Sequence, residues 1–227
     1  MSAIGGPATV TSGLVLELDA GNIKSYPTTG TTWFDKSGNA RNGTLTNGPT
    51  FNTGSLGSIV FDGVNDYMQG SFTALSTYTI NVWFKRTGVQ SDVYPTLIAF
   101  DAYQPGFYLE FNNNDTVSYY QAGLSFPNGV LTFFPLSDIA LNTWVNISFT
   151  KSGTTISSYL NGTFKSSITD NTTTGTTYAL NADRGNSSPA STTQWGGNIS
   201  QVQIYNRSLS ASEVQQNFNA TRARFGI

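Results

Sequence analysis

The 227-residue chain carries 11 basic and 13 acidic side chains, a net charge of −2, and neither histidine nor cysteine. That composition excludes imidazole general bases, Ser-His-Asp and Cys-His relays, His-ligated zinc, disulfides and cysteine-held iron–sulfur clusters. A weak net negative charge also argues against non-specific binding to nucleic acid or to an anionic membrane, since both need concentrated positive charge.

Ser and Thr together number 56 and Asn 21, so about a third of the chain is short, polar and poorly helix-forming, while aromatics make up 13%. The opening residues, Met1 to Pro7, have neither the basic nor the apolar region of a signal peptide. No run approaches the roughly 18 apolar residues of a membrane span. The chain is therefore expected to be made in the cytoplasm and to have no membrane partner.

Residues 1–12, rich in Gly, Pro and Thr, read as an extended N-terminal arm suited to docking on a neighbouring chain, and residues 13–227 as one domain. Leu14, Leu16 and Leu18 then alternate with Val15 and Glu17. Tyr78, Ile80, Val82 and Phe84 share one face of a strand whose other face carries Thr79, Asn81, Trp83 and Lys85. Phe107, Leu109 and Phe111 repeat the pattern, as do Val145, Ile147 and Phe149. Period-two alternation predicts strands with one face packed inward and the other polar, as in an antiparallel sandwich. The segment Phe126 to Leu136 is apolar beyond strict alternation, and reads as a strand buried on both faces, as a covered loop, or as an exposed patch that packs on another chain. Asn161-Gly162 supplies the positive φ pair of a tight hairpin turn. One helix is predicted near the end, where Ser210-Ala211-Ser212-Glu213 forms a capping box ahead of Val214 and Phe218.

Several strings, in order, resemble the LamG-like, concanavalin A-like lectin/glucanase superfamily. They are Gly13 to Asn22; Trp33-Phe34-Asp35-Lys36-Ser37-Gly38-Asn39; Phe61-Asp62-Gly63-Val64-Asn65-Asp66-Tyr67; Trp144 to Phe149 with Tyr159-Leu160-Asn161-Gly162; and Gly197 to Ser210. The resemblance implies an all-β fold: a jelly-roll sandwich of two curved antiparallel sheets with one short C-terminal helix. Its concave face and loops are those that relatives often use for glycans. The Ala20-Gly21-Asn22 opening and the Arg222-Ala223-Arg224-Phe225-Gly226-Ile227 tail resemble stand-alone versions in bacteriophage structural proteins.

Three chemistries follow. Glucanases of the superfamily carry a Glu-x-Asp-x-(x)-Glu strand. Glu17-Leu18-Asp19 begins it, but Asn22 and Ile23 stand where the second Glu belongs. The other glutamates are Glu110 and Glu213, and no spacing makes compelling the pair of carboxyls about 5 Å apart that retaining hydrolysis needs, which leaves an Asp pair from separate loops as the alternative. No catalytic residue is assigned. Calcium is the expected cofactor if there is one: Asp19, Asp35, Asn39, Asp62 and Asp66 lie in loops where relatives often hold it, although the same residues can cap turns through backbone N–H groups. Relatives often have Asp-Glu where this chain has Ser200-Gln201. For glycans, Tyr103, Tyr108, Tyr119, Tyr120 and Trp195 are candidate stacking rings, with Asn112 and Asn114 as polar neighbours.

Together these readings predict a non-catalytic, lectin-like structural or adhesion module. It is expected on the surface of a phage virion as a decoration or fibre protein, beside other virion proteins, as a homo-oligomer, and in weak multivalent contact with cell-surface glycans. The alternatives are a purely structural virion protein and a glycoside hydrolase or lyase of the same superfamily.

Overall fold

The computed structural model describes residues 7–87, 95–101, 107–112, 116–121, 130–182 and 194–227. Alternating segments pair into two eight-stranded antiparallel sheets. The first runs β4 (Thr50–Asn52), β5 (Ser58–Asp62), β16 (Gly196–Tyr205), β7 (Tyr78–Arg86), β12 (Val145–Ser152), β13 (Thr155–Leu160) and β14 (Thr163–Thr169). The long β16 also pairs with β1 (Leu14–Asp19). The second runs β11 (Val130–Pro135), β10 (Thr116–Gln121), β9 (Phe107–Asn112), β8 (Thr96–Phe100), β15 (Thr177–Leu180), β6 (Tyr67–Ser71), β3 (Gly43–Thr46) and β2 (Thr32–Trp33). The core lies between them, where Ile80, Val82 and Phe84 of β7 meet Phe107, Leu109 and Phe111 of β9; Tyr78 stacks on Phe107 at 5.6 Å and Phe84 on Phe111 at 5.4 Å. Asn161 and Gly162 take φ 50° and 76° and turn β13 into β14, as their identities require.

The outer face of the first sheet departs from the expected exposed polar surface. Thr79, Asn81 and Trp83 are buried there. Helix α1 (Ala211–Thr221), started by the Ser210/Glu213 capping box, covers part of this face. Trp83 stacks on Phe218 at 5.6 Å and on Phe225 at 4.0 Å, and its indole N–H donates to Thr221 Oγ1 at 2.8 Å. The polar side chains survive burial because they satisfy one another. Asn81 Nδ2 donates to Gln203 Oε1, Gln203 Nε2 to Glu17 Oε1, and both Asn146 Nδ2 and Ser148 Oγ to Asn81 Oδ1.

The described part of the N-terminal arm rests on the chain's own helix. Val10 N–H donates to Asn217 Oδ1 (2.8 Å), Tyr205 OH to Val10 O (2.9 Å) and Gln216 Nε2 to Ala8 O (2.7 Å). The apolar run near β11 is no exposed patch where it is described: a register shift in the β10–β11 pairing lets Phe133 and Phe134 both enter the core, and Phe133 lies 4.8 Å from Phe149. Residues 126–129 lie outside the described residues.

Candidate functional site

The outer face of the second sheet is open along part of its width. Away from the core, the second sheet presents a cross-strand row of Thr32, Thr44, Gln69, Ala179, Ala99 and Tyr108 on β2, β3, β6, β15, β8 and β9. Ala179 and Ala99 are fully buried, so the open stretch is the β2–β3–β6 side. There Asn42, Thr44, Thr46, Gln69, Gly70, Ser71 and Thr177 line an open groove of about 420 Å³. Gly70 is required by the core beneath: a Cβ on it would lie 2.5 Å from the ring of Tyr178, whose hydroxyl donates to Arg41 O at 2.9 Å. Asp101 fixes the Thr177 rim by accepting from Thr176 N–H (2.9 Å) and Thr177 N–H (2.8 Å). Among the described residues the lining offers hydroxyls and amides that both donate and accept, and no charged side chain. Such a surface can exchange hydrogen bonds with a polar ligand in both directions.

The predicted aromatic set divides. Tyr108 is half-buried on the groove face, three strands from Gln69, which is about 14 Å at the usual strand spacing. Tyr120 pairs with Tyr108, Tyr119 with Leu109 and Asn112 with Thr116 in the backbone register, and the side chains of all three lie outside the described residues, as do Tyr103 and Asn114 altogether. Trp195 is corrected. Its ring is fully buried, edge-on to Phe84 (5.8 Å) and Phe111 (5.6 Å), with the indole N–H donating to Thr96 O at 3.2 Å. A ring with no exposed face offers no stacking platform. The groove residues escaped sequence reading because none is chemically distinctive alone; strand register brings them together.

The side chains of the acidic loops are engaged in local hydrogen bonds. Asp35 Oδ1 accepts from Glu17 N–H (2.9 Å) and Ser37 N–H (2.8 Å), and its Oδ2 from Ser37 Oγ (2.8 Å) and Arg41 N–H (3.0 Å). Asn39 Nδ2 donates to Val15 O and Ser37 Oγ. Asp62 Oδ1 accepts from Val64 and Asn65 N–H, and Asp66 Oδ2 from Asp62 N–H. Asp19 Oδ1 accepts from Gly21 N–H and pairs with Arg224 at 2.6 Å. A calcium ion needs lone pairs converging on one point, whereas these point at N–H and O–H groups. Among the described residues no three acidic side chains are placed so that they could hold one metal ion. The set does not fit calcium, and turn capping accounts for it. Replacing Asp35 by alanine is expected to cost about 2–4 kcal/mol in urea unfolding, because donors on β1 and in the loop lose their acceptor together. Asn is expected to rescue little, since its NH₂ would face donors.

Glu17 lies on the outer face of the first sheet, on the opposite side of the sandwich from the groove, with Gln203 on its carboxylate. Burial pushes its pKa up, opposed by that hydrogen bond. The start of the glucanase-like pattern is thus a structural part of the network under α1.

The profile of the concanavalin A-like lectin/glucanases superfamily matches residues 61–215. No curated protein sequence matches the chain. Among solved structures, Trypanosoma rangeli sialidase is similar with a TM-score of 0.70 at 15% identity, over 99% of this chain and 35% of that one. The binding domain of botulinum neurotoxin serotype D is similar with a TM-score of 0.70 at 15% identity, over 92% and 52%. The binding domain of Paraclostridial mosquitocidal protein 1 follows with 0.66 at 16%, over 91% and 52%. The chain therefore spans about a third of the sialidase and about half of each binding domain. Identities this low speak for the fold alone, a jelly roll found in an enzyme chain and in binding domains. On the profile match and the two-sheet architecture together, the chain belongs to the concanavalin A-like lectin/glucanase superfamily.

Proposed function

We propose that the protein is a non-catalytic, lectin-like adhesion module that binds neutral glycans in the groove over β3, β6 and β15. The observation that carries this reading is the groove itself: an open hollow on the outer face of the second sheet, whose described lining is hydroxyls and amides. Hydroxyl-rich walls exchange hydrogen bonds with sugar hydroxyls at little net gain over water, so single contacts are weak and copy number supplies the avidity. Display on a phage particle, among other virion proteins, gives that multiplicity; support for this part comes from the resemblance of the opening and tail strings.

The test is retention of the isolated protein on immobilised neutral polysaccharides. Wild type is expected to be held, and Thr44→Ala/Gln69→Ala to lose at least tenfold in affinity while melting close to wild type. Failure to retain any polysaccharide favours a purely structural role, and release of reducing sugar overturns the non-catalytic reading.

A further inference from the structure

We infer that Arg224 fills, with its own guanidinium, an oxygen-lined cation site between the end of β1 and the middle of β16. Its Nη1 donates to Asp19 Oδ1 at 2.6 Å, Nη2 to Ser200 Oγ at 2.6 Å and to Gly57 O at 2.9 Å, and Nε to Ser55 O at 2.8 Å. All four acceptors are oxygens, one of them a carboxylate, and they come from three separate stretches of chain. That is the donor chemistry a hard cation selects. Arginine meets it with a permanent charge and a fixed fork of N–H donors.

The surrounding backbone is shaped to this group. A Cβ at Gly21 would lie 2.3 Å from Nη2 and 2.6 Å from Cζ, so only glycine leaves room for the guanidinium. Ser55, Leu56 and Gly57 take φ values of 52°, 63° and 125°, and the turn they form delivers the Ser55 and Gly57 carbonyls to Arg224. Two of the three are not glycine, so the turn is strained. The Leu56 side chain is 71% exposed, which leaves its packing too slight to hold that conformation. Ser200 Oγ, while accepting from Arg224, donates to Gly57 O at 2.6 Å and ties β16 into the same cluster. The ion pair is partly screened from water, with side-chain exposures of 11% for Arg224 and 21% for Asp19.

The consequence is a C-terminus held in place without a metal. Arg224 positions its neighbour Phe225, which stacks at 4.0 Å on Trp83 and lies 4.9 Å from Trp144. The site is thus a closing clasp for the outer face of the first sheet, remote from the glycan groove and independent of whether that groove binds sugar.

Thermal melts in chelator and in millimolar calcium test it. Wild type is expected to melt at the same midpoint in both. Arg224→Ala is expected to melt lower by roughly 5–10 °C. Adding Ser200→Asp to Arg224→Ala, which places a second carboxylate beside Asp19 in the emptied site, is expected to give a midpoint that rises with calcium and falls back in chelator. A calcium-dependent wild type, an Arg224→Ala variant that melts like wild type, or a double variant indifferent to calcium each overturns the inference. If Arg224→Ala does not fold, Arg224→Lys decides: an intermediate midpoint supports the clasp, and one equal to wild type contradicts it.

Discussion

Trp195→Ala is expected to lose about 3–5 kcal/mol of stability, the range for emptying a large aromatic site in a close-packed core, and to melt roughly 10 °C lower. The indole is fully buried among Phe84 and Phe111, and Gly197 makes space for it: a Cβ there would lie 2.1 Å from Cζ3 of the ring. The backbone on either side is fixed as well, since Trp195 N–H donates to Asn181 Oδ1 at 2.8 Å. Trp195→Phe keeps most of the packing but gives up the hydrogen bond to Thr96 O, so a loss of about 1–2 kcal/mol is expected. Had the ring been a solvent-facing sugar platform, alanine would leave the melt unchanged and remove binding. Paired melting and polysaccharide-retention measurements separate the two roles.

Glu110→Gln is expected to stabilise the protein above neutral pH. Glu110 sits on β9 between Thr96 of β8 and Ser118 of β10, is 4% exposed, and its Oε1 has no hydrogen-bond partner among the described residues. Burial pushes its pKa up to about 7 from an ordinary 4.5. Between those values the folded protein keeps a proton that the unfolded chain has released, so stability falls as pH rises through the window. It is flat below 4.5 and flat again above 7. The full drop is about 3 kcal/mol at 1.36 kcal/mol per unit. Glutamine stays neutral throughout, so wild type and Glu110→Gln should match near pH 4 and differ by about 2–3 kcal/mol at pH 8 in chemical denaturation. Superimposable pH profiles would contradict the account. Some slope is expected to persist in the variant, because burial also raises Asp66 and Glu17.

Sequence carried the fold where local chemistry has one solution. Asn161-Gly162 can adopt the two positive φ values of its turn, Ser210 and Glu213 close a capping box, and Phe61 to Tyr67 holds its turn through Asp62 and Asp66. It failed where identity is compatible with two environments. Asn81, Ser148 and Gln203 alternate with apolar residues as exposed polar positions would, yet each finds its partner on a neighbouring strand and is sealed from solvent. Asp35 and Asn39 are as apt for a cation as for a turn; the four donors aimed at Asp35 decide between these, and they come from β1 and the loop together. Trp195 read as exposed because its neighbours are polar, while Gly196-Gly197 was the local sign of a ring lying close against backbone. The groove was the least legible part, since Thr44, Gln69 and Thr177 become neighbours only through the β3–β6–β15 register.

The most direct measurement is a backbone amide NMR titration of the full chain with a neutral oligosaccharide it retains. The expected result is a set of saturable shifts confined to Thr44, Thr46, Gln69, Gly70, Ser71 and Thr177. Shifts centred on Glu17 and Gln203 across the sandwich, or none at saturating ligand, would contradict the assignment of the groove.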